Sequence, residues 1–568
     1  MASLNTNLAS AVQSLVARAS GIWSLSACGI TRSETAIPAL VHADAYLPAT
    51  PRTRVLLISG LSGRGEEMDL AIQALNAYLD AGAPLTNSIA LSAVPMANPD
   101  GLTLDVAPEN GAGGRPDTGY PPEDHFFDDP QNPERRYLWR WVGLQAPDVV
   151  VELRSGQTAS WATSATALAP VLQATVLTPA DGLLAALSIG VPNGLGAVPG
   201  LCLTTPPEAL MTQLDRLGSL LQQTPSLSPS PARRELDARR ARSPLEIARL
   251  LAGVYGHTLD PVVYTQGMAI DARLQLARLD PTAPNPAADI TQLVEPYISG
   301  ATEPFSADAG SAALGGFIWG PELADATGDR RYADLMVQIA ERYRPAPDGG
   351  APPPSDPTFR TEDMAMNGML LGRAFQLTGH THYLELLTPF LLQARIQQDD
   401  GLFWHCRTAP YYWGRGNGFG AIGYCETLSY LPDDHPDRRA LLDIHLRHLN
   451  ALRQCQLASG LYPQVLNIPG SYPEFTVTCM LGYVMARGLR RGWLDTSFRA
   501  SVDLAWQGAA ERIDDAGGIV DACTNTGVQD SLRDYLDRPA IFGRDNRSGS
   551  MALWFALELA RLQHGTEP

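Results

Sequence analysis

The stretch that decides the fold of the C-terminal part is RTEDMAMNGMLLGRAFQLTGHTHY, residues 360–383. Small and apolar residues recur in it at helical spacing and predict an amphipathic helix: Met364, Gly368, Leu371 and Phe375. The segment LTGHTHYLEL (377–386) then closes this helix and opens the next, as ATGDRRYADL (326–335) does earlier. The sequence therefore predicts a series of helices joined by short turns.

The helical pattern repeats along the rest of the chain. Similar breaks occur at LPDDHPDRRALL (431–442) and RRGWLDTSFRAS (490–501), giving a period of about 50 to 60 residues. That length suits two helices with their connections. At this period the segment 234–568 holds six helical hairpins, and the period alone fits either a closed α/α barrel or a superhelical solenoid.

The N-terminal part follows a different pattern. Strand-like runs such as VLLIS (55–59) and DVVVEL (148–153) alternate with helical stretches, which predicts an α/β sheet domain. A Pro- and Ser-rich segment then predicts a linker, because this composition cannot build a core. We therefore predict an α/β domain at 1–221, a linker at 222–233 and an all-α domain at 234–568.

Composition narrows the possible functions. The formal net charge of −18 argues against binding nucleic acid. The chain has no lysine, which excludes Schiff-base chemistry and leaves bound anions to arginine, histidine and backbone N–H groups. The seven cysteines show no CxxC pair and are predicted to be reduced. Since neither a secretory signal nor a membrane span is visible, a cytoplasmic location is expected, with the periplasm as the alternative.

Four ordered groups of motifs in the helical part carry a family resemblance. After residues 360–383 come GLFWHCRTAPYYWGRGNGFG (401–420), SGLYPQVL with YPEFTVTCMLGYVMARGLRRGWL, and DDAGGIVDACTNTG with RSGSMALWFALELA. In this order they resemble glycoside hydrolase families 105 and 88, the unsaturated rhamnogalacturonyl and glucuronyl hydrolases. The resemblance implies an (α/α)6 barrel that needs no metal or organic cofactor and acts on an acidic oligosaccharide.

The resemblance also implies a reaction. Such enzymes hydrate a terminal 4,5-unsaturated uronic acid, whose vinyl ether is protonated at C4, and one acid/base group suffices. Asp363 matches that group. A helix start lowers a carboxyl pKa, so Asp363 needs a compensating rise of about two from burial or a second carboxylate. The resemblance places further residues at substrate-contacting positions: Asn367, Trp404, His405, Trp413, Arg415, Asn417 and Glu474.

The chain departs from the family at three positions. Thr361 and Phe419 stand where tryptophans are usual, and Asp308 lies about one turn too early to match the second family aspartate. Asp308 is the candidate second carboxylate. Two rival functions follow: an exo-glucuronidase for saturated glucuronic acid, using Glu362 or Glu474 as a second acid, and a carbohydrate-binding protein without activity.

The N-terminal part resembles the zinc carboxypeptidase and deacylase superfamily through VLLISGLSGRGEE, VPMANPDGL and DVVVELRSG. Zinc hydrolases of this kind hold the metal with two imidazoles and a carboxylate. Here Ser62 and Arg154 replace the two histidines, and Glu66 stands one residue late for the carboxylate. A hydroxyl and a guanidinium are poor substitutes, so a metal-free, inactive domain is predicted and a peptidase function is disfavoured.

Overall fold

The computed structural model describes residues 2–19, 21–122, 129–178, 182–224 and 227–565. The chain divides into two compact units. The first comprises Met1–Ala241, Ile468–Tyr472 and Asp537–Ala540; the second comprises Arg242–Asn467, Pro473–Leu536 and Ile541–Pro568. In the described segments no helix is both long and apolar enough to cross a membrane.

An eight-stranded mixed sheet forms the centre of the first unit, in the order β1-β2-β4-β3-β5-β8-β6-β7. Strands β4, β3, β5 and β8 run parallel, and β1–β2 and β6–β8 pair antiparallel. The strands are β1 Trp23–Ile30, β2 Ala36–His42, β3 Thr53–Ser59, β4 Ile89–Val94, β5 Val149–Ser155, β6 Ser160–Thr163, β7 Thr175–Val176 and β8 Gly200–Thr205.

Helices accompany this sheet. The apolar run of β3 is buried along nearly its whole length, as expected for a central parallel strand covered on both faces. The predicted α/β class is therefore confirmed. The helices are α1 Ala2–Arg18, α2 Gly65–Asp80, α3 Ala83–Thr86, α4 Pro99–Thr103, α5 Pro133–Gln145, α6 Ala169–Leu172, α7 Leu183–Leu187, α8 Leu210–Gln223 and α9 Pro231–Arg240.

The segment predicted as a linker, 222–233, belongs to the first unit. Its described part is fixed rather than free, because Asp148 accepts hydrogen bonds from Ser228 Oγ at 2.8 Å and from the Ser230 amide at 2.9 Å. Arg233 also pairs with Asp148 at 2.7 Å. The Pro- and Ser-rich composition therefore marks a loop held by polar contacts and the start of α9.

The second unit is helical, with two short two-stranded sheets. This confirms the predicted class. Its helices are α10 Pro244–Ala252, α11 Tyr264–Leu279, α12 Ala287–Ile298, α13 Ser311–Leu314, α14 Gly320–Thr327, α15 Arg331–Ala340, α16 Thr361–Thr378, α17 His382–Gln393, α18 Gly414–Tyr430, α19 Arg438–Gln454, α20 Phe475–Arg490, α21 Arg499–Ala510, α22 Leu532–Leu536 and α23 Asn546–His564. Its strands are β9 Tyr462–Pro463, β10 Pro473–Glu474, β11 Ile519–Cys523 and β12 Ala540–Gly543.

Six helices of this unit contact one another in a closed cycle: α11, α13, α16, α18, α20 and α23. The long neighbours run parallel. Gly423 of α18 packs against Met364 of α16 and, further along, Gly372 of α16 packs against Tyr430 of α18; contacts in the same order join α18 to α20, α20 to α23 and α11 to α23. Glycine permits this close approach because any side chain would meet the facing helix. We call these six the inner helices, and their first turns lie at one end of the cycle.

A band of buried charges joins the C-terminal halves of four inner helices. Glu426 accepts from Arg373 at 2.9 Å and from Arg487 at 2.6 Å. Glu558 pairs with Arg487 at 3.1 Å and with Arg490 at 2.6 Å. These carboxylates are fully buried. The network therefore links α16, α18, α20 and α23 through charge-assisted hydrogen bonds.

Candidate active site

The first turns of the inner helices gather most of the residues predicted to be functional. Asp363 lies in the first turn of α16, Arg415 in the first turn of α18, and Glu474 caps α20. The Thr361 amide donates to the His405 carbonyl at 3.1 Å, which ties the start of α16 to the 403–406 loop. We call this end of the helical unit the mouth.

Asp363 is a buried carboxyl, only 7% exposed. It accepts a hydrogen bond from the Asp356 amide at 2.7 Å, and the hydroxyls of Ser311 and Tyr343 lie beside it. Burial raises the pKa of Asp363 to about 6, and the negative charge of Glu362 adds to the rise. Desolvation thus outweighs the helix start, and the carboxyl acquires the proton affinity of a general acid near neutral pH.

Glu362 forms a buried pair with His405. The Nε2 atom of His405 lies 3.0 and 3.1 Å from the two carboxylate oxygens, and Nδ1 lies 2.6 Å from the hydroxyl oxygen of Tyr535. Burial alone would raise the pKa of Glu362, but the attraction of His405 holds it below its usual value. His405 itself is fully buried. The predicted substrate-contacting histidine therefore holds a carboxylate in this structure.

The two tryptophans predicted to contact sugar differ in exposure. Trp413 is completely buried; its ring lies 4.6 Å from that of His405, and its indole N–H donates to Gln464 at 3.3 Å. A buried ring cannot stack on a sugar, so we reassign Trp413 to packing behind His405. Trp404 is half-buried and lies beside the Tyr412 hydroxyl, so it stays a candidate for substrate contact.

Arg415 and Asn417 have structural partners. Arg415 is fully buried and donates to backbone carbonyls of 523–525, including that of Cys523 at 2.6 Å. The Asn417 amide donates to the carbonyls of Phe403 and Trp413, and its oxygen faces the Phe403 amide and His448 Nε2. These contacts use every hydrogen-bonding position of Asn417. We reassign both residues from reading substrate to fixing the loops of the mouth.

Glu474 and Asn367 are also engaged within the protein. Glu474 caps α20 by accepting from the Thr476 and Val477 amides at 3.0 and 2.8 Å, and it accepts from the Cys523 amide at 2.9 Å. Asn367 is fully buried and exchanges hydrogen bonds with Ser355. We reassign Glu474 and Asn367 to local structure, because substrate contact would break these bonds.

Asp308 does not take the place of a second catalytic carboxylate. It lies on an exposed turn, where the Ser306 hydroxyl holds its pKa below the usual value. The carboxylate that acts on Asp363 is its neighbour Glu362. Of the carboxylates considered from the sequence, Glu362, proposed there for the rival exo-glucuronidase, lies beside Asp363, whereas Asp308 remains exposed.

Several residues of the mouth carried no sequence signal. Tyr535 reaches His405 from the short helix α22, and Ser311 and Tyr343 approach Asp363 from other segments. The Tyr264 hydroxyl lies near Arg547 and Glu362. Glu362 was considered from the sequence only as the second acid of the rival exo-glucuronidase; its effect on the pKa of Asp363 follows from the Thr-Glu-Asp triplet at 361–363, since adjacent carboxyls influence one another's pKa.

The residues that replace the zinc ligands of the resembled superfamily line a small polar cavity of about 70 Å³ in the first unit. Ser62 donates to Glu67 at 2.7 Å, whereas Glu66 is exposed, so the acid beside Ser62 is Glu67 and not Glu66. The guanidinium of Arg154 pairs with Glu152 at 2.5 Å. Within the described residues no three His, Cys, Asp or Glu side chains form a group that could hold a metal.

Comparison with known proteins gives a family match within the helical part. A family profile described as Glycosyl Hydrolase Family 88 matches residues 363–563, beginning at Asp363 itself. The helical unit carries a glycosyl hydrolase family 88 domain. The family match covers about a third of the chain and spans α16 to α23.

Individual relatives of this family 88 domain are distant. The chain is 26% identical over 113 residues to an unsaturated 3S-rhamnoglycuronyl hydrolase of Alteromonas sp. (strain LOR), an alignment covering 19% of the chain and 27% of that relative. A family 105 glycoside hydrolase of C. acetobutylicum ATCC 824 is 17% identical, with a TM-score of 0.49 and coverage of 55% of this chain and 98% of that one. An unsaturated glucuronyl hydrolase of Bacillus sp. GL1 is 13% identical, with a TM-score of 0.44 and coverage of 58% of this chain and 97% of that one.

Proposed function

We propose that the protein is an exo-acting glycoside hydrolase that removes a terminal 4,5-unsaturated uronic acid from acidic oligosaccharides, with Asp363 as its acid and base. One observation carries the proposal: a buried carboxyl whose pKa is raised to about 6, at the mouth of a family 88 domain. The closed cycle of parallel inner helices supports an (α/α)6 barrel as its scaffold.

An anionic substrate suits the mouth. Parallel inner helices direct their N-terminal ends, which carry partial positive charge, toward the same space. Arg360 and Arg547 add formal positive charge beside Asp363 and Tyr264 respectively. Because Arg415 is committed to the 523–525 carbonyls, these two arginines are our candidates for the substrate carboxylate.

The proposed reaction needs one proton carrier. Asp363 donates its proton to C4, the C4–C5 double bond supplies the electrons of the new C–H bond, and the ring oxygen stabilises the cation left at C5. Water adds at C5 and returns a proton to the Asp363 carboxylate. The hemiketal then opens, the ring oxygen becomes a hydroxyl on C1, and C1 expels the remaining oligosaccharide as an alcohol.

An absorbance assay tests this proposal. Unsaturated uronides absorb near the ultraviolet edge, and the protein should abolish that absorbance while Asp363→Asn reduces the rate at least about 100-fold. Residual activity within tenfold of the parent would exclude Asp363 as the acid.

The same assay separates the rival functions. Release of glucuronate from a saturated aryl glucuronide, with unsaturated substrates untouched, would replace our proposal with the exo-glucuronidase. Binding of both sugars without turnover of either would indicate a carbohydrate-binding protein.

A further inference from the structure

The side chains of Tyr535, His405 and Glu362 form a buried hydrogen-bonded series that ends beside Asp363. No step of the proposed reaction uses this series. The backbone N–H of Gln529 donates to the Tyr535 hydroxyl oxygen at 3.2 Å, so Tyr535, the first member of this series, is itself held in place. His405 Nε2 must carry a hydrogen, because it faces both oxygens of a carboxylate. The arrangement leaves the Glu362 side chain little freedom to turn away.

We propose that Glu362, held by His405 and Tyr535, is a positioning residue that keeps the catalytic proton on Asp363. The inference rests on the proposed role of Asp363 as the acid and extends it. The two neighbouring carboxyls have different partners. Glu362 is favoured as an anion by His405. Burial favours the protonated form of Asp363, and the negative charge of Glu362 favours it further.

The surroundings of the two carboxyls support this division. Glu362 accepts from the imidazole of His405 and from the Thr361 hydroxyl at 3.2 Å, and the Tyr264 hydroxyl is nearby. Asp363 faces the hydroxyls of Ser311 and Tyr343 and one backbone amide. Arg360 lies within range of both and lowers the pKa of each, so it does not distinguish them. The histidine contact is what separates them.

Glu362→Gln tests the proposal, because the amide oxygen still accepts from His405 while the charge is gone. The pKa of Asp363 should fall by about one, which lowers kcat about tenfold at pH 8 but only about twofold at pH 5. A role in folding alone would reduce kcat equally at both pH values. The matched control is Glu341→Gln, which neutralises the exposed carboxylate 3.1 Å from His382 and should change neither rate.

A titration that needs no turnover completes the test. Carboxyl-labelled aspartate followed by 13C NMR, with Asp363→Asn to assign the resonance, reports the pKa of Asp363 in the parent and in each variant. Tyr535→Phe, which removes one hydroxyl only, should lower this pKa in the same direction by less.

An unchanged pKa of Asp363 in Glu362→Gln would overturn the inference. If the parent hydrolyses no uronide but the titration shifts as expected, the proposed function fails and the electrostatic coupling stands. If Glu362→Gln does not fold, Tyr535→Phe decides the question, and an unchanged pKa in that variant would overturn the inference as well.

Discussion

The raised pKa that suits Asp363 to act as an acid also lowers the free energy of unfolding at neutral pH. A carboxyl with a pKa of about 6 in the folded chain and about 3.9 in the unfolded chain binds its proton more tightly when folded. Its stabilising contribution is complete below about pH 4 and is lost as the pH rises through about 6. At neutral pH the loss amounts to about 3 kcal/mol.

Asp363→Asn should therefore gain stability relative to the parent as the pH rises. Asparagine keeps an oxygen for the Asp356 amide but cannot ionise, so the free energy of unfolding of the variant minus that of the parent should increase by about 2.4 kcal/mol from pH 4 to pH 8. Chemical denaturation followed by circular dichroism measures this difference. A difference independent of pH would show that Asp363 titrates normally.

Arg154 allows a prediction about metal in the first unit. A guanidinium beside Glu152 and Glu67 occupies the space with fixed positive charge and repels a divalent ion. Purified protein incubated with zinc and dialysed should retain far less than one equivalent by elemental analysis. Stoichiometric zinc would contradict the metal-free assignment.

At the scale of elements, Glu474 connects the start of α20 to β11. It accepts hydrogen bonds from two first-turn amides and from the Cys523 amide, all buried. Replacing it with alanine would leave these donors without an acceptor, and each such group costs about 1–3 kcal/mol. This cap is therefore worth more than an exposed one.

Glu474→Ala should reduce the free energy of unfolding by about 3 kcal/mol or more. Asp495→Ala, which removes the exposed cap at the Ser497 amide, should cost about 1 kcal/mol or less and serves as the control. Urea denaturation measures both. Equal losses in the two variants would show that the buried hydrogen bonds of Glu474 add no more stability than an exposed helix cap.

Sequence reasoning succeeded where a signal was local and failed where it depended on long-range contacts. The turn at Thr378–Gly379 confirms the predicted break, because glycine adopts the left-handed conformation that ends α16. By contrast, the motif around Arg415 and Asn417 suggested substrate contact. Yet Arg415 donates to the carbonyl of Cys523, more than 100 residues later, and Asn417 accepts from the amide of Phe403, 14 residues earlier. The sequence alone does not show which backbone carbonyls and amides of distant loops lack a hydrogen-bond partner and are bonded by these side chains.

At the scale of the whole helical unit, the buried charge band holds neighbouring inner helices together. Arg487 bridges Glu426 and Glu558, so its loss leaves two buried carboxylates with fewer partners. Breaking a buried ion pair by removing one member typically costs about 3–5 kcal/mol. The penalty falls on several helices at once, because the network joins α18, α20 and α23.

Arg487→Met should therefore lower the free energy of unfolding by about 3–5 kcal/mol, and adding Glu426→Gln should cost less than the sum of the two changes. Arg439→Met is the matched control, since Arg439 forms an exposed pair with Asp443 and should cost about 0.5 kcal/mol or less. Helical circular dichroism in denaturant reports all three. Strict additivity would show that the two residues do not act as one network.

The short helix α22 has a consequence for how the protein loses activity on heating. Its five residues, Leu532–Leu536, carry Tyr535, which contacts His405 at the far end of the series from Asp363. So brief an element opens more easily than the long inner helices. Local opening there would release His405 while the helices stay intact. Heat inactivation should thus precede the main unfolding transition, and amide hydrogen exchange in α22 should follow the temperature dependence of the activity.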